Sequence, residues 1–131
     1  MLKHSQREKG FTLVEIIAVL VILSVLSAVA IPRYLSLDES ARQRAIDAGI
    51  SELNGRETLT WSNIKITHTG YTIDAELFPI VSTTLGNDYT WVGAPPDENG
   101  GTLRFKESIE VPLTRIESSD IQPGFWSRPP P

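Results

Sequence analysis

Between Phe11 and Ile31 the chain runs FTLVEIIAVLVILSVLSAVAI, an apolar stretch whose only charged residue is Glu15. As a helix it rises about 31 Å, at roughly 1.5 Å per residue, against a bilayer hydrocarbon core of about 30 Å. A helix apolar on every side needs a deep protein interior or lipid around it, and a chain of 131 residues offers little interior. The segment therefore predicts a membrane span. Charge sets its direction. Lys3, Arg7 and Lys9 stand against Glu8 ahead of the span, whereas the remainder carries nine basic and fifteen acidic side chains. The positive-inside tendency keeps residues 1–10 cytoplasmic and sends the acidic body across the membrane. An acidic body also disfavours nucleic acid as a partner, because affinity for phosphate backbones comes chiefly from Lys and Arg.

Two kinds of segment fit a basic start followed by an apolar run. A secretory signal peptide needs an apolar region of about 7–15 residues and a small-residue cleavage site. Ile16 to Leu26 supplies the first and Ala28-Val29-Ala30 the second, which makes a secreted binding domain starting at Ile31 the rival reading. Glu15 speaks against it. An acidic group deep in a membrane helix costs about 2.5–3.5 kcal/mol, less near the helix end, and a signal sequence has no use for it.

The string Lys9-Gly10-Phe11-Thr12-Leu13-Val14-Glu15 closely resembles the cleavage and methylation signature of type IV prepilins and pseudopilins. The resemblance covers residues 1 to about 35 and includes Ile31-Pro32-Arg33-Tyr34, where pilin helices leave the apolar segment. It implies cutting between Gly10 and Phe11 by a prepilin peptidase, then N-methylation of Phe11. Gly10, lacking a Cβ, lets the backbone enter a protease site in an extended conformation. Phe11 then carries a cationic amine near the membrane boundary, and Glu15 supplies the anion, by resemblance toward the amine of a neighbouring subunit. Pro32 removes a backbone donor, which predicts a kink or a loosened stretch around Ser27 to Pro32.

Beyond the span, residues 33–62 read as an amphipathic helix, with its end between Asn54 and Ser62. Asp38-Glu39-Ser40 opens a new helix if the chain breaks there and is merely exposed if it does not. At 100° per residue Ser40, Gln43, Arg44, Asp47, Ser51 and Asn54 share a polar arc. Opposite lie two apolar stripes, Tyr34, Leu37, Ala41, Ala45 and Ala48 beside Ile46, Gly49, Ile50 and Leu53. One stripe is expected on the chain's own sheet. The other is expected toward neighbouring helices, with residual self-association through Ile46, Ile50 and Leu53. Asn54-Gly55 is a turn signal, although Glu52 and Arg56 are spaced for a helical ion pair.

Residues 63–131 read as a small β-rich head. Ile64 to Thr67 is expected as a strand edge or extended link, and Asp74 to Phe78 as a short helical turn stopped by Pro79. Strands are expected at Asp88 to Val92, Thr102 to Lys106 and Ile109 to Ile116, with Pro112 marking an edge or a bulge. Gln122 to Pro131 reads as a turn, an aromatic pair and an extended proline tail.

The chain has no cysteine and its only histidines are His4 and His68, the latter read as an exposed loop residue. No nucleophile triad, phosphate loop or metal-ligand spacing occurs, so neither catalysis nor a cofactor is expected. Asp97-Glu98-Asn99 with Asp88 offers oxygen ligands to calcium only weakly, and a solvated turn is the favoured reading. Trp61, Trp91 and Trp126 are candidates for a binding face or, more ordinarily, for the core.

The fold expected is α+β, a long N-terminal helix packed on a small antiparallel sheet. Its parts are a leader at 1–10, a membrane and filament-core helix at 11–32, the amphipathic helix at 33–62 and the head at 63–131. By resemblance the chain is a structural subunit of a type IV pilus-like filament, or a pseudopilin of a type II secretion system. The implied partners are identical or related pilin subunits, membrane lipid before assembly, the prepilin peptidase and methyltransferase, and an inner-membrane assembly platform with an ATPase motor. The implied location is the inner membrane, then a periplasm-spanning or cell-surface filament. The paired C-terminal cysteines of many pilins and the calcium loop of major pseudopilins are both missing, which leaves the subtype open.

Overall fold

The computed structural model describes residues 10–67 and 69–130. Its longest element, α1, spans Leu13–Lys65. The chain divides into two compact units, Met1–Asp38 and Glu39–Pro131. In the first unit α1 is apolar and exposed all round; Leu20, Ile22, Leu26 and Ile31 each keep more than half their surface free. Ser24 donates its hydroxyl to the Leu20 carbonyl at 2.6 Å, which satisfies the group without water.

Pro32 lies inside α1 without ending it; of the kink or loosened stretch expected around Ser27 to Pro32, the structure shows no break in the helix, since those residues are helical. A proline removes one hydrogen bond, to the carbonyl four residues back. The turns on either side keep theirs, and helix propagation is cooperative. Asp38 and Glu39 accordingly sit mid-helix rather than at a new start.

In the second unit four strands form an antiparallel meander in the order β1-β2-β3-β4: β1 Tyr89–Trp91, β2 Gly100–Phe105, β3 Ile109–Ile116 and β4 Phe125–Ser127. Period-two alternation in β3 turns Leu113 and Arg115 into the interior and leaves Glu110, Pro112, Thr114 and Ile116 exposed. Pro112 pairs in register with Thr102 without a bulge. Pairing with β4 covers only Thr114, Arg115 and Ile116, so β3 is an edge locally where the proline stands.

The core joins Ile46 and Leu53 of α1 to Leu103, Leu113 and Trp126. At Gly49 the helix lies so close to the sheet that a Cβ would come within 2.9 Å of the Tyr89 ring, and the Tyr89 hydroxyl donates to the Ala45 carbonyl at 2.7 Å. The stripe Ile46, Gly49, Ile50, Leu53 is therefore the one covered by the chain's own sheet. This corrects the expectation that Ile46, Ile50 and Leu53 remain available for self-association. Tyr34, Leu37, Ala41 and Ala48 are the exposed ones.

Helix α1 passes the expected stop and takes in Ile64 and Lys65, which were expected to be extended. Tertiary contacts override the local signals there. Trp61 Nε1 donates to the Ser119 carbonyl at 2.8 Å and Lys65 Nζ to the Asp120 carbonyl at 2.8 Å. The helix ends where Thr67 Oγ1 caps the Ile64 carbonyl at 2.7 Å. Glu52 and Arg56 form the anticipated pair at 2.9 Å. Asn54-Gly55 is helical, not a turn. A Cβ on Gly55 would meet nothing within 4 Å, so Gly55→Ala is expected to raise head stability by about 1 kcal/mol. Urea unfolding of a fragment starting at Glu39 measures it, and an unchanged or lower midpoint would contradict the helical assignment.

The short helix α2, Asp74–Leu77, runs into a 3₁₀ turn at Phe78–Ile80; Pro79 sits within that turn rather than stopping the chain before it, since its fixed φ suits the first turn of a helix. The aromatic pair expected ahead of the proline tail, Phe125-Trp126, lies in β4. Asn54, assigned to the polar arc, accepts from Trp126 N at 2.7 Å and donates to the Trp126 carbonyl at 3.0 Å. Its amide thus closes the outer edge of β4 as a strand partner would.

Candidate functional site

The first described residues hold the cleavage and assembly candidates. Gly10 is exposed, and a Cβ added there would meet nothing within 4 Å. Phe11 is 86% exposed. Helix α1 begins immediately after Thr12, and the reason is local: the Thr12 backbone N–H donates to Glu15 Oε2 at 3.0 Å, while the Glu15 N–H donates to Thr12 Oγ1 at 3.2 Å. This reciprocal capping box satisfies two amides at the helix start, and the carboxylate also complements the positive end of the helix dipole. The spacing Thr-x-x-Glu ahead of an apolar run is its sequence signal, and the reading of Glu15 as an ionic partner alone overlooked it.

Phe11, Glu15, Ile16, Val19 and Leu20 line a shallow cleft of about 410 Å³. One carboxylate therefore sits on an otherwise apolar wall, the setting in which an added cation is held most strongly. Pro32 lies further along the helix and takes no part in this cluster. The leader residues 1–9, including Lys3, His4, Arg7 and Lys9, fall outside the described residues, as does His68.

The head holds a cluster that sequence reasoning missed. Arg115, fully buried, uses all five of its N–H donors. Nε donates to Glu57 Oε1 at 2.6 Å and Nη2 to Glu57 Oε2 at 3.1 Å. Nη1 and Nη2 reach the two oxygens of Asp74 at 2.8 Å, and Nη1 also reaches the Glu98 carbonyl at 3.1 Å. Trp126 Nε1 donates to Glu57 Oε1 at 2.9 Å. A Cβ on Gly124 would lie 2.6 Å from both Arg115 Nη2 and Glu57 Oε2, so only glycine fits beside the network.

Burial alone raises the Asp74 carboxyl, but hydrogen bonds from Arg115 and Ser118 outweigh it and hold the group below its ordinary range. The guanidinium, despite burial, is held charged by Asp74 and Glu57. This cluster ties α1, α2, β3 and β4 together and leaves no donor of the arginine open to a substrate. Its sequence signal was the alternation in β3, which puts Arg115 on the same face as Val111 and Leu113.

The three tryptophans do not form one face. Trp126 is buried with Trp91 packed beside it, ring centroids 5.7 Å apart, and Trp61 is bonded to Ser119 instead. Asp97 Oδ1 accepts from the Asn99 and Gly100 amides at 2.8 and 3.1 Å, which organises the turn between β1 and β2. Among the described residues no group of three or more His, Asp or Glu could hold a metal ion.

Residues 5–31 match the family model described as the prokaryotic N-terminal methylation motif. The chain is also 48% identical over 42 residues to the Type IV narrow pilus major component PilA5 of Thermus thermophilus, a match covering 32% of this chain and 36% of that protein. No solved structure matches it. Together the two matches support the type IV pilin family for this chain.

Proposed function

We propose that the chain is the structural subunit of a type IV pilus-like filament. It enters the inner membrane as a precursor, is cleaved after Gly10 and N-methylated at Phe11, and assembles through its N-terminal helix with other copies or related subunits. Interactions, not catalysis, carry this function. The observation that supports it most is the order of parts at one helix start: an open Gly10-Phe11 peptide bond, a Thr12–Glu15 capping box, and an apolar helix none of whose most hydrophobic window is buried.

Cutting between Gly10 and Phe11 leaves the Phe11-Thr12 amide intact, so the box survives processing and the new amine emerges one residue before it. That amine pairs with Glu15 of a docking neighbour. The peptidase and methyltransferase, and an assembly platform with its ATPase, are the further partners this reading requires. Residues 1–10 then form the removed leader, 11–32 the membrane and filament-core part, 33–62 the amphipathic part and 63–131 the head.

Intact mass and N-terminal sequencing of protein from cells test the reading. Methylated Phe11 is expected as the first residue, and Gly10→Trp is expected to leave unprocessed precursor in the membrane. Finding Ile31 first would place the chain among secreted proteins cut by signal peptidase.

A further inference from the structure

Between Glu15 and Arg33 the helix carries no charged side chain. Because α1 is helical throughout, Pro32 included, these two charges are separated along the axis by about 27 Å, at roughly 1.5 Å per residue. That is slightly less than the hydrocarbon thickness of about 30 Å. A helix with one charge near each face has a single comfortable depth in a bilayer, and the charge that resists burial more stubbornly selects it.

Side chains tilt toward the N-terminus of a helix. For Glu15, near the cytoplasmic end, the tilt already leads toward water. For Arg33, at the far end, it leads back toward hydrocarbon, and the long stem must bend outward to keep its guanidinium at the headgroups. Tyr34, 73% exposed, adds an amphipathic ring of the kind that settles at membrane interfaces.

The residues after this pair show what it prevents. Leu35 and Leu37 are 61% and 68% exposed, and the next charge is Asp38. Without Arg33 and Tyr34, the uncharged stretch would extend from Ile16 to Leu37, about 33 Å of helix. The helix would slide toward the cytoplasm until Asp38 met the far headgroups, and Glu15 would leave the hydrocarbon for water.

We propose that Arg33, with Tyr34, is a membrane stop that holds Glu15 at the inner edge of the hydrocarbon, where a neighbour's amine meets it in a medium of low dielectric. This rests on the membrane-precursor reading above, and concerns how deep the precursor sits before any filament forms. Arg33 and Tyr34 are positioning residues on this account, acting on Glu15 through the rigid helix between them.

The chain has no cysteine, so single reporters are clean. Full-length chain bearing a nitroxide at Leu35→Cys or at Leu13→Cys is placed in vesicles of phosphatidylethanolamine and phosphatidylglycerol. Depth is read from accessibility to oxygen against a water-soluble nickel chelate. In the R33L/Y34L background the label at position 35 is expected to move inward by about 7.5 Å, the rise of five residues, and the label at 13 to move outward by as much. R33K keeps a long cationic stem and is expected to leave both depths unchanged.

If both labels hold their depth in R33L/Y34L, or if the label at 35 moves alone, the stop is overturned while membrane insertion stands. A chain that never enters the vesicles overturns the membrane reading itself, and the stop with it. Neither readout depends on cleavage, methylation or filament formation.

Discussion

Replacing Arg115 with methionine is expected to lower head stability by about 3–5 kcal/mol, because removing one member of a buried ion network strands its partners. Here both Glu57 and Asp74 lose their cation, and each has its side chain almost wholly shielded, 0% and 7% exposed. Arg115→Lys is expected to fall between, since an ammonium has three donors for the five acceptor contacts that the guanidinium makes.

The pH dependence separates this cause from simple loss of packing. In the wild type Asp74 titrates below its unfolded value of 3.8. Its contribution is therefore fully present above that value and is lost as pH falls through the lower, folded one. In Arg115→Met the bonds from Ser118 remain but the cation no longer opposes burial, so the Asp74 carboxyl rises from its wild-type position. The variant should then lose less stability than the wild type as the pH falls. Urea midpoints of the fragment from Glu39, between about pH 3 and 7, measure both slopes. Parallel curves for the two proteins would show that the network contributes volume and not charge.

Glu15→Gln is expected to reduce incorporation into filaments at least tenfold while cleaved, membrane-bound protein persists. The substitution is cleaner than Glu15→Ala, because glutamine still serves in a capping box and removes only the charge. An orphaned amine in an apolar setting costs several kcal/mol, and about 1.4 kcal/mol already corresponds to tenfold. Membrane residence should improve slightly, since an acidic group in hydrocarbon is unfavourable. Thr12→Ala is the complementary probe. It removes the hydroxyl that caps the Glu15 amide and keeps the charge, at a cost of about 1 kcal/mol in helix-end stability. Quantifying the subunit in sheared fibres from cells without a wild-type copy ranks the variants. Wild-type incorporation of Glu15→Gln would mean that the capping box, not the charge, is what assembly requires.

What could be read along the chain was whatever is governed by neighbours in sequence. The apolar run, the basic start and the Gly10-Phe11 to Glu15 spacing needed no partner from elsewhere. The alternation that makes β3 is likewise local and was placed to its ends, Ile109 and Ile116. The capping box belonged to this class too, because both of its residues lie within one turn.

The tertiary structure decided everything that depended on a distant partner. Which apolar stripe of α1 lies against the sheet follows from the close approach at Gly49, set by Tyr89 and Leu103. The end of α1 at Lys65 follows from Ser119 and Asp120, which override a turn signal at Asn54-Gly55. Strand β4 exists because Asn54 and β3 bind its two edges, although its own residues, flanked by prolines, carry weak strand signals. The alternation in β3 turns Arg115 inward, but nothing near it in sequence supplies its counter-charges: Glu57 comes from α1 and Asp74 from α2. A buried cation is stable only when such partners converge on it, and that convergence is a property of three-dimensional packing.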